Sequence, residues 1–392
     1  MHINWKRILL VSGLAVLAML SGCQEPGGRV TEQTDGLQPE DINPTHIYEE
    51  VREGFLIDAE VTGAPEGVTP KVYVGTLPTY RREAVDAFLS HVGDSISEII
   101  SDERIDESYS FCVTCTSGGR LVCRDSVNNN FEHWVFNYFN PVTDRFYDSA
   151  VLYCTPDEAK IYSQYKYNMN LYEEEKDFAF ASAAEAEQEV RDTLELLGVQ
   201  GLVLQKTLYL DHSALEKAYG QELVQRLFLG DDGASPAEYE ERSWSEADDG
   251  YMFMFCAGVD GIPMMNSGWT SQTYTYGPSQ VLVRINETGI TYISAHNPWM
   301  FGEVAEQPEH LLTASEALAV AKERLRDVIL GHDIIIDRAN LLYYSIQDRD
   351  RWTLVPVWEI AVLHKGSTIV DGEAFDDYTY IVVNAVTGKE IV

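Results

Sequence analysis

The feature of this sequence that most constrains its fold is a helix-start signal that occurs twice in the second half of the chain. Ser182 precedes Glu185 by three residues, Thr313 precedes Glu316 by three, and each pair opens an apolar pattern with helical spacing. Such a capping box lets the hydroxyl accept a hydrogen bond from a free helix amide while the glutamate reaches back to the cap. The spacing predicts two amphipathic helices of similar length.

Strand-like runs and a tight turn follow each helix. They occupy residues 202–210, 251–257 and 281–285 after the first helix, and residues 334–346, 352–363 and 378–383 after the second. The first unit also carries an insertion, predicted as a helix over residues 214–228 and an acidic loop over 231–249. This self-similarity predicts two helix-plus-antiparallel-sheet modules, residues 176–300 and 301–392, with chance similarity as the alternative because capping boxes are common.

Residues 45–175 read as a separate N-terminal domain of mixed structure. Short strand-like runs come first, helical spacing extends from residue 82 to 100, and a mainly β region follows, with a hairpin turn at Ser117-Gly118-Gly119. The predicted fold class is therefore α+β: an N-terminal mixed domain with an antiparallel sheet, then the two modules.

An aromatic stripe lies in this domain. Trp134, Phe136 and Tyr138 share one face of a predicted strand, where they could stack on a sugar ring. The alternative, which occurs more often, is the buried face of a sheet.

Four cysteines also fall there: Cys112, Cys115, Cys123 and Cys154. Outside the cytoplasm such cysteines predict disulfides, and four allow three pairings. A two-residue turn at Gly118-Gly119 would place Cys112 diagonally across from Cys123, leaving Cys115 to pair elsewhere, with Cys154 as one possibility. A zinc site is the alternative, and Cys256 is expected to be a buried free thiol.

The composition excludes some partners. The formal charge is −35, and 45% of the residues are hydrophobic. A chain of 392 residues with this balance is globular, and length alone suggests two or three domains. The strong negative charge disfavours nucleic acid and anionic lipid headgroups as direct partners.

The N-terminus has the pattern of an export leader. Lys6 and Arg7 precede a short apolar run, and Leu20-Ser21-Gly22-Cys23 closes it. The run is shorter than the ~20 apolar residues that span a bilayer and ends in small residues, which favours cleavage over an uncleaved anchor helix. Residues 23–44 are rich in Gly, Glu, Gln, Asp and Pro, which predicts a flexible tether.

These residues resemble the leader and lipobox of bacterial lipoproteins. The resemblance implies cleavage of residues 1–22, attachment of a diacylglycerol and fatty acid such as palmitate at Cys23, and a lipid-anchored location on the extracytoplasmic face of the cell membrane. Cys23 is then the lipidation site and the contact with the membrane.

The C-terminal segment resembles PepSY-type modules and related extracellular regulators of a cell-wall sensor kinase. The resemblance rests on the helix from Thr313, on Leu354-Val355-Pro356-Val357-Trp358-Glu359-Ile360 and on the closing run from Tyr380 to Ile391. The whole architecture is also similar to uncharacterised lipoproteins of clostridial-type bacteria. These resemblances imply binding or inhibition and supply no catalytic residues. From the residues alone, Trp358 is expected in a core, and Pro356 indicates an edge strand or a bulge that could accept a peptide.

No motif for metal hydrolysis, a nucleophilic serine or phosphate binding occurs in the sequence. We therefore expect no enzyme, no cofactor and no metal, but a binding or regulatory role at the cell envelope, with an envelope protein or peptide as partner. One alternative is a solute- or glycan-binding lipoprotein that uses the stripe at Trp134, and another is an envelope hydrolase.

Overall fold

The computed structural model describes residues 44–105, 108–125, 134–143, 169–219, 243–266, 279–326, 328, 331–348, 351–370 and 372–391. All of them belong to one compact unit that spans residues 42–392. The predicted leader and tether, including Cys23, lie outside the described residues, and so does Cys154.

The described residues form mainly β-strands. In chain order, the strands are β1 (His46–Arg52), β2 (Phe55–Thr62), β3 (Val72–Thr76), β4 (Ile96–Ile105), β5 (Ser108–Cys115), β6 (Arg120–Asp125), β7 (Trp134–Phe139), β8 (Leu202–Leu210), β9 (Gly250–Val259), β10 (Ile262–Pro263), β11 (Gln280–Asn286), β12 (Gly289–His296), β13 (Met300–Glu306), β14 (Ile334–Asp348), β15 (Arg351–Val370), β16 (Glu373–Asn384) and β17 (Glu390–Ile391). The α-helices are α1 (Arg82–His91), α2 (Ala183–Leu196), α3 (His212–Tyr219) and α4 (Ala314–Leu325).

The larger sheet is antiparallel throughout. Its order is β8-β9-β11-β12-β7-β6-β5-β4, and β10 pairs with the end of β9. One half comes from the chain after α1 and the other from the chain after α2, and the halves meet where β7 pairs with β12. Strands on either side of residue 176 therefore share one sheet.

The smaller sheet joins the two ends of the described chain. Its order is β1-β2-β14-β15-β16-β17, while β3 pairs with both β15 and β13. The pair β2 and β14 is parallel and brings residues 55–62 beside residues 334–340.

The prediction of separate helix-plus-sheet modules is therefore wrong. The structure is mostly β, with two large sheets that each draw strands from distant parts of the chain. The physical reason is that a short meander leaves an unpaired edge, and here those edges pair with strands far away in sequence. The α+β class assigned from sequence is corrected accordingly.

Helices cover one face of each sheet. On the larger sheet, Phe88 of α1 and Val190 and Leu194 of α2 are fully buried against apolar side chains of β5, β6, β7, β9 and β11. On the smaller sheet, Ala317 and Ala321 of α4 lie in the same core as Ile336 and Ile360. Small residues on α4 let the helix approach the sheet closely.

Both capping boxes are confirmed. Ser182 accepts a hydrogen bond from the amide of Glu185 at 3.3 Å, and the Glu185 carboxylate accepts one from the amide of Ser182 at 2.9 Å. Thr313 and Glu316 repeat this arrangement at 3.3 and 2.8 Å.

Helix α1 is shorter than the apolar spacing of residues 82–100 predicts. The pattern extends to Ile99, but α1 ends at His91 because Gly93 adopts a φ of +71° and the amide of Asp94 bonds back to the carbonyl of Leu89. Glycine reaches this left-handed conformation without strain, so it ends the helix. The following residues form β4 instead.

Pro356 lies in a central strand, not at an edge or a bulge as predicted. Pro356 stands opposite Tyr343 of β14, and its carbonyl accepts a hydrogen bond from Ala385 at 3.0 Å. The amide and the carbonyl of one strand residue point to the same side of the strand. The position of the missing N–H of Pro356 therefore faces the gap between the start of β3 and the end of β16. Trp358 is buried in the core as expected and donates to the carbonyl of Leu312 at 2.8 Å.

Candidate functional site

The aromatic stripe is part of the core. Trp134, Phe136 and Tyr138 are buried on the face of β7 that packs against the helices, and Phe88 contacts Phe136 and Tyr138 edge-on with centroids 5.2 and 5.0 Å apart. The stripe therefore offers no surface on which a sugar could stack.

The cysteines do not stand in the predicted register. The turn between β5 and β6 spans residues 116–119, so Phe111 faces Cys123 and Cys112 faces Val122. Cys112 and Cys123 consequently lie on opposite faces of the sheet, and the predicted diagonal pair is wrong. Among the described cysteines, Cys112, Cys115, Cys123 and Cys256 are buried free thiols. A pairing with Cys154 falls outside the described residues.

A cluster of ionisable side chains lies where β8 ends and α3 begins. Asp211 is the residue before the helix, His212 is its first residue, and Asp249 directly precedes β9. Because β8 and β9 are paired neighbours, the two carboxylates meet at one end of the sheet. Lys176 forms an ion pair with Asp211 from a preceding loop.

The two carboxylates cap the helix. Asp249 accepts hydrogen bonds from the amide and from Nδ1 of His212, at 2.7 and 2.8 Å. Asp211 accepts from the amides of Ser213 at 2.9 Å and Ala214 at 3.3 Å, and its carbonyl accepts from Leu215. The first three amides of α3, which a helix leaves without partners of its own, are all satisfied by these carboxylates, and Leu215 makes the first regular helical hydrogen bond.

The charges of the cluster compensate one another. Burial alone would raise the pKa of Asp211, but the hydrogen bonds from Lys176 and Ser213 and the Lys176 charge outweigh it and bring the pKa to about 2. The hydrogen bond to Asp249 raises the pKa of His212 despite partial burial. Asp211 therefore stays ionised beside Lys176.

Asp211, His212 and Asp249 could also hold a metal ion, since one ligand atom of each lies within 4.8 Å of the others. A metal ion would have to displace Lys176 and the capping bonds, so we assign the cluster to helix capping. The sequence did not predict this cluster, because Asp211 and Asp249 are 38 positions apart and follow no ligand motif. The local signal in the sequence is Asp211-His212-Ser213, where strand β8 gives way to helix α3.

One Ser–His pair bears on the hydrolase alternative. Ser294 Oγ lies 3.0 Å from Nε2 of His296, within reach for proton transfer. Ser294 is 0% exposed, however, so its hydroxyl cannot meet a substrate in this conformation. The pair reads as an internal hydrogen bond of β12.

Strand β4, at one edge of the larger sheet, carries exposed apolar side chains. β4 is the last strand of the sheet and pairs only with β5 among the described strands. Ile99 and Ile100 of β4 are 50% and 52% exposed, whereas most large apolar side chains of the described chain are covered. Ile100 is the extra residue of a β-bulge, and regular pairing with β5 then runs from Ser101 to Ile105. No other described strand pairs with the outer side of that run.

Acidic side chains surround this edge. Glu98 and Glu103 are exposed, and Asp102 accepts a hydrogen bond from Tyr109 at 2.6 Å and lies 3.8 Å from Arg82. We call Ile96–Ile105 with these side chains the β4 edge. Sequence reasoning missed it because residues 96–100 continue the helical spacing of α1.

Within the described ranges, no helix combines the length and apolar character needed to cross a bilayer.

Comparison with known proteins yields a structural likeness and no family. No known family and no curated protein matches the chain. The fold is similar to the crystal structure of an uncharacterized protein from Eubacterium rectale, with a TM-score of 0.58 and 16% sequence identity, over 88% of this chain and 93% of that one. This likeness extends to the fold alone.

Proposed function

We propose that this protein is an extracytoplasmic lipoprotein with a binding or regulatory role, and that it takes an extended segment of an envelope protein as an added strand on the β4 edge. The observation that carries the proposal is the exposed apolar pair Ile99 and Ile100 on a strand whose outer side pairs with no described strand. Backbone bonds along the edge would supply affinity, and the side chains would supply selectivity.

The charge of the edge favours a basic partner segment over a second copy of this chain. Along β4, the exposed carboxylates of Glu98, Asp102 and Glu103 outnumber the one exposed cation, Arg104, so the strand carries a net negative charge. If two copies of β4 paired with each other, acidic side chains of both would be brought together, and like charges on paired strands are destabilising. Lysine or arginine on the incoming strand would instead be attracted.

The proposed location rests on the lipobox. If residues 23–44 form the flexible tether that the sequence predicts, about 20 residues would reach roughly 25 Å, which is enough to hold the folded body clear of the lipid surface. Mass spectrometry of the N-terminal peptide from membranes tests this. We expect a mature chain that begins at a diacylglyceryl-modified Cys23, and a chain that retains residues 1–22 would contradict the proposal.

Binding is tested by crosslinking in intact cells, recovery of the tagged protein and mass spectrometry of what is attached. We expect a protein partner whose recovery falls at least about tenfold when Ile99→Lys and Ile100→Lys are combined, because the edge then loses its apolar contact. Glu98→Lys with Glu103→Lys should reduce recovery as well.

Val304→Lys is the matched control, since Val304 is 48% exposed on another edge strand, β13. It should leave recovery unchanged, and Cys23→Ala should abolish recovery of a partner that needs the anchored form. Equal recovery with the wild-type and β4 variants, or recovery of wall glycan and lipid only, would overturn the proposal.

A further inference from the structure

Two histidines from different segments meet beside the smaller sheet. His332 lies two residues before β14, and His364 lies on β15 opposite Ile334, the first residue of β14. A hydrogen bond of 2.9 Å from the amide of Lys365 to the carbonyl of Asp333 extends the ladder past the strand start. This pairing fixes the backbone on both sides of the histidines.

Their ring nitrogens face each other. Nε2 of His332 is 2.9 Å from Nδ1 of His364, and the ring planes stand at 67° with centroids 5.1 Å apart. Two imidazoles at this distance share a single proton, because one nitrogen must offer a lone pair to the other. When the donor ring carries its proton on its other nitrogen instead, the lone pairs of His332 Nε2 and His364 Nδ1 converge on the same point.

The second nitrogen of His364 is held in place. Nε2 of His364 lies 2.7 Å from Oγ1 of Thr379, which fixes the orientation of the ring and directs Nδ1 toward His332. Asp377 stands opposite His364 on β16. A ligating histidine whose other nitrogen is hydrogen-bonded, with a carboxylate nearby, is the usual surrounding of a protein-bound transition metal.

We propose that His332 and His364 form a binding site for a divalent transition-metal ion of the Cu²⁺ or Zn²⁺ class. Imidazole nitrogens bind such ions at about 2.0–2.1 Å, so two of them on a tetrahedral ion stand about 3.3 Å apart. The rings need to separate by only a few tenths of an ångström. Imidazole suits these metals over Ca²⁺ or Mg²⁺, which take oxygen ligands. Water completes the coordination.

Titration of the mature full-length chain with Cu²⁺, followed by calorimetry and electron paramagnetic resonance, tests this site. We expect one equivalent bound with splitting from two nitrogens, and loss of that species in His332→Ala and in His364→Ala. Thr379→Val should weaken binding by about tenfold because the ring of His364 is no longer oriented. Thermal unfolding without metal confirms that each variant folds.

Two control variants make the outcome decisive. His310→Ala removes an exposed histidine that lies 3.9 Å from Glu316 and should leave binding unchanged. His212→Ala removes the histidine of the helix-capping cluster and should also leave it unchanged. Binding that survives in both His332→Ala and His364→Ala, or that is lost only with His212→Ala, would overturn the proposal.

Discussion

Asp94 shows how one buried carboxylate organises a neighbouring turn. Its oxygens accept hydrogen bonds from the amides of Ser95 and Ser117 and from the hydroxyls of Thr116, Ser117 and Tyr138, at 2.6 to 3.2 Å. The donors of Thr116 and Ser117 belong to the turn between β5 and β6. Asp94 therefore holds that hairpin against the end of α1.

Replacing Asp94 with Ala should lower the free energy of unfolding by about 2–4 kcal/mol, because several buried donors lose their acceptor. Urea unfolding measures this. Asp86→Ala on the exposed face of α1, where Asp86 forms an ion pair with Arg82, is the control and should change stability by less than about 0.5 kcal/mol. Equal effects of the two substitutions would contradict the role assigned to Asp94.

The same residue predicts a pH dependence. Burial tends to raise the pKa of Asp94, but the hydrogen bonds from Ser117, Ser95 and Thr116 outweigh it and lower the pKa. Because the pKa is lower in the folded than in the unfolded chain, ionised Asp94 stabilises the fold fully above about pH 4. That contribution is lost as the pH falls through the folded-state pKa. The difference in unfolding free energy between wild type and Asp94→Ala should therefore shrink in acid, and a constant difference would refute the argument.

The buried thiols should be unreactive in the native protein. Burial raises the pKa of Cys115 to about 12, and it raises the pKa of Cys123 and Cys256 as well. The thiolate is the reactive form, so in a chain with Cys23→Ser and Cys154→Ser these three thiols should not react with a thiol reagent while the chain is folded. In concentrated guanidinium chloride without reductant it should show four free thiols. A lower count would reveal a disulfide among them.

At the scale of elements, the helix starts were predictable and several other boundaries were not. Capping boxes act within four residues, so the sequence alone located Ser182 and Thr313. The end of α1 was missed because Val92, Ile96 and Ile99 continue its apolar spacing, while a single glycine and the pairing of β4 with β5 decide otherwise. The cysteine register was missed because Asp94 stabilises a four-residue turn from outside the hairpin.

Thr313 offers a direct test of capping. Thr313→Ala should cost about 1 kcal/mol of unfolding free energy, because the amide of Glu316 loses its acceptor. Thr313→Ser keeps the hydroxyl and should restore most of the stability. If the alanine and serine variants proved equally stable, the cap would contribute nothing.

At the scale of the molecule, pairing between distant segments decided the architecture. Residues 55–62 pair with residues 334–340, and β7 pairs with β12 across more than a hundred positions. The individual strands had clear alternating or apolar patterns, but such patterns do not name a partner strand. This is why the strands were predictable and their assembly into two sheets was not.

The candidate sites show the same contrast between local patterns, which the sequence reveals, and long-range pairing, which it does not. Trp134, Phe136 and Tyr138 were visible as a stripe, yet only the packing of α1 against β7 shows them to be core. Nothing in the local sequence brings His332 to His364 or leaves β4 at an edge. Both follow from the order of strands in a sheet, which lies beyond the reach of local patterns.

A photo-crosslinking amino acid at position 100 tests most directly our proposal that the protein receives a partner strand on the β4 edge. After irradiation of intact cells, we predict a crosslink from position 100 to one envelope protein, mapped to a basic extended segment, and none to that protein from position 304 on β13. Crosslinks from position 100 to lipid or glycan only, or to the same protein from both positions, would rule out strand addition on the β4 edge.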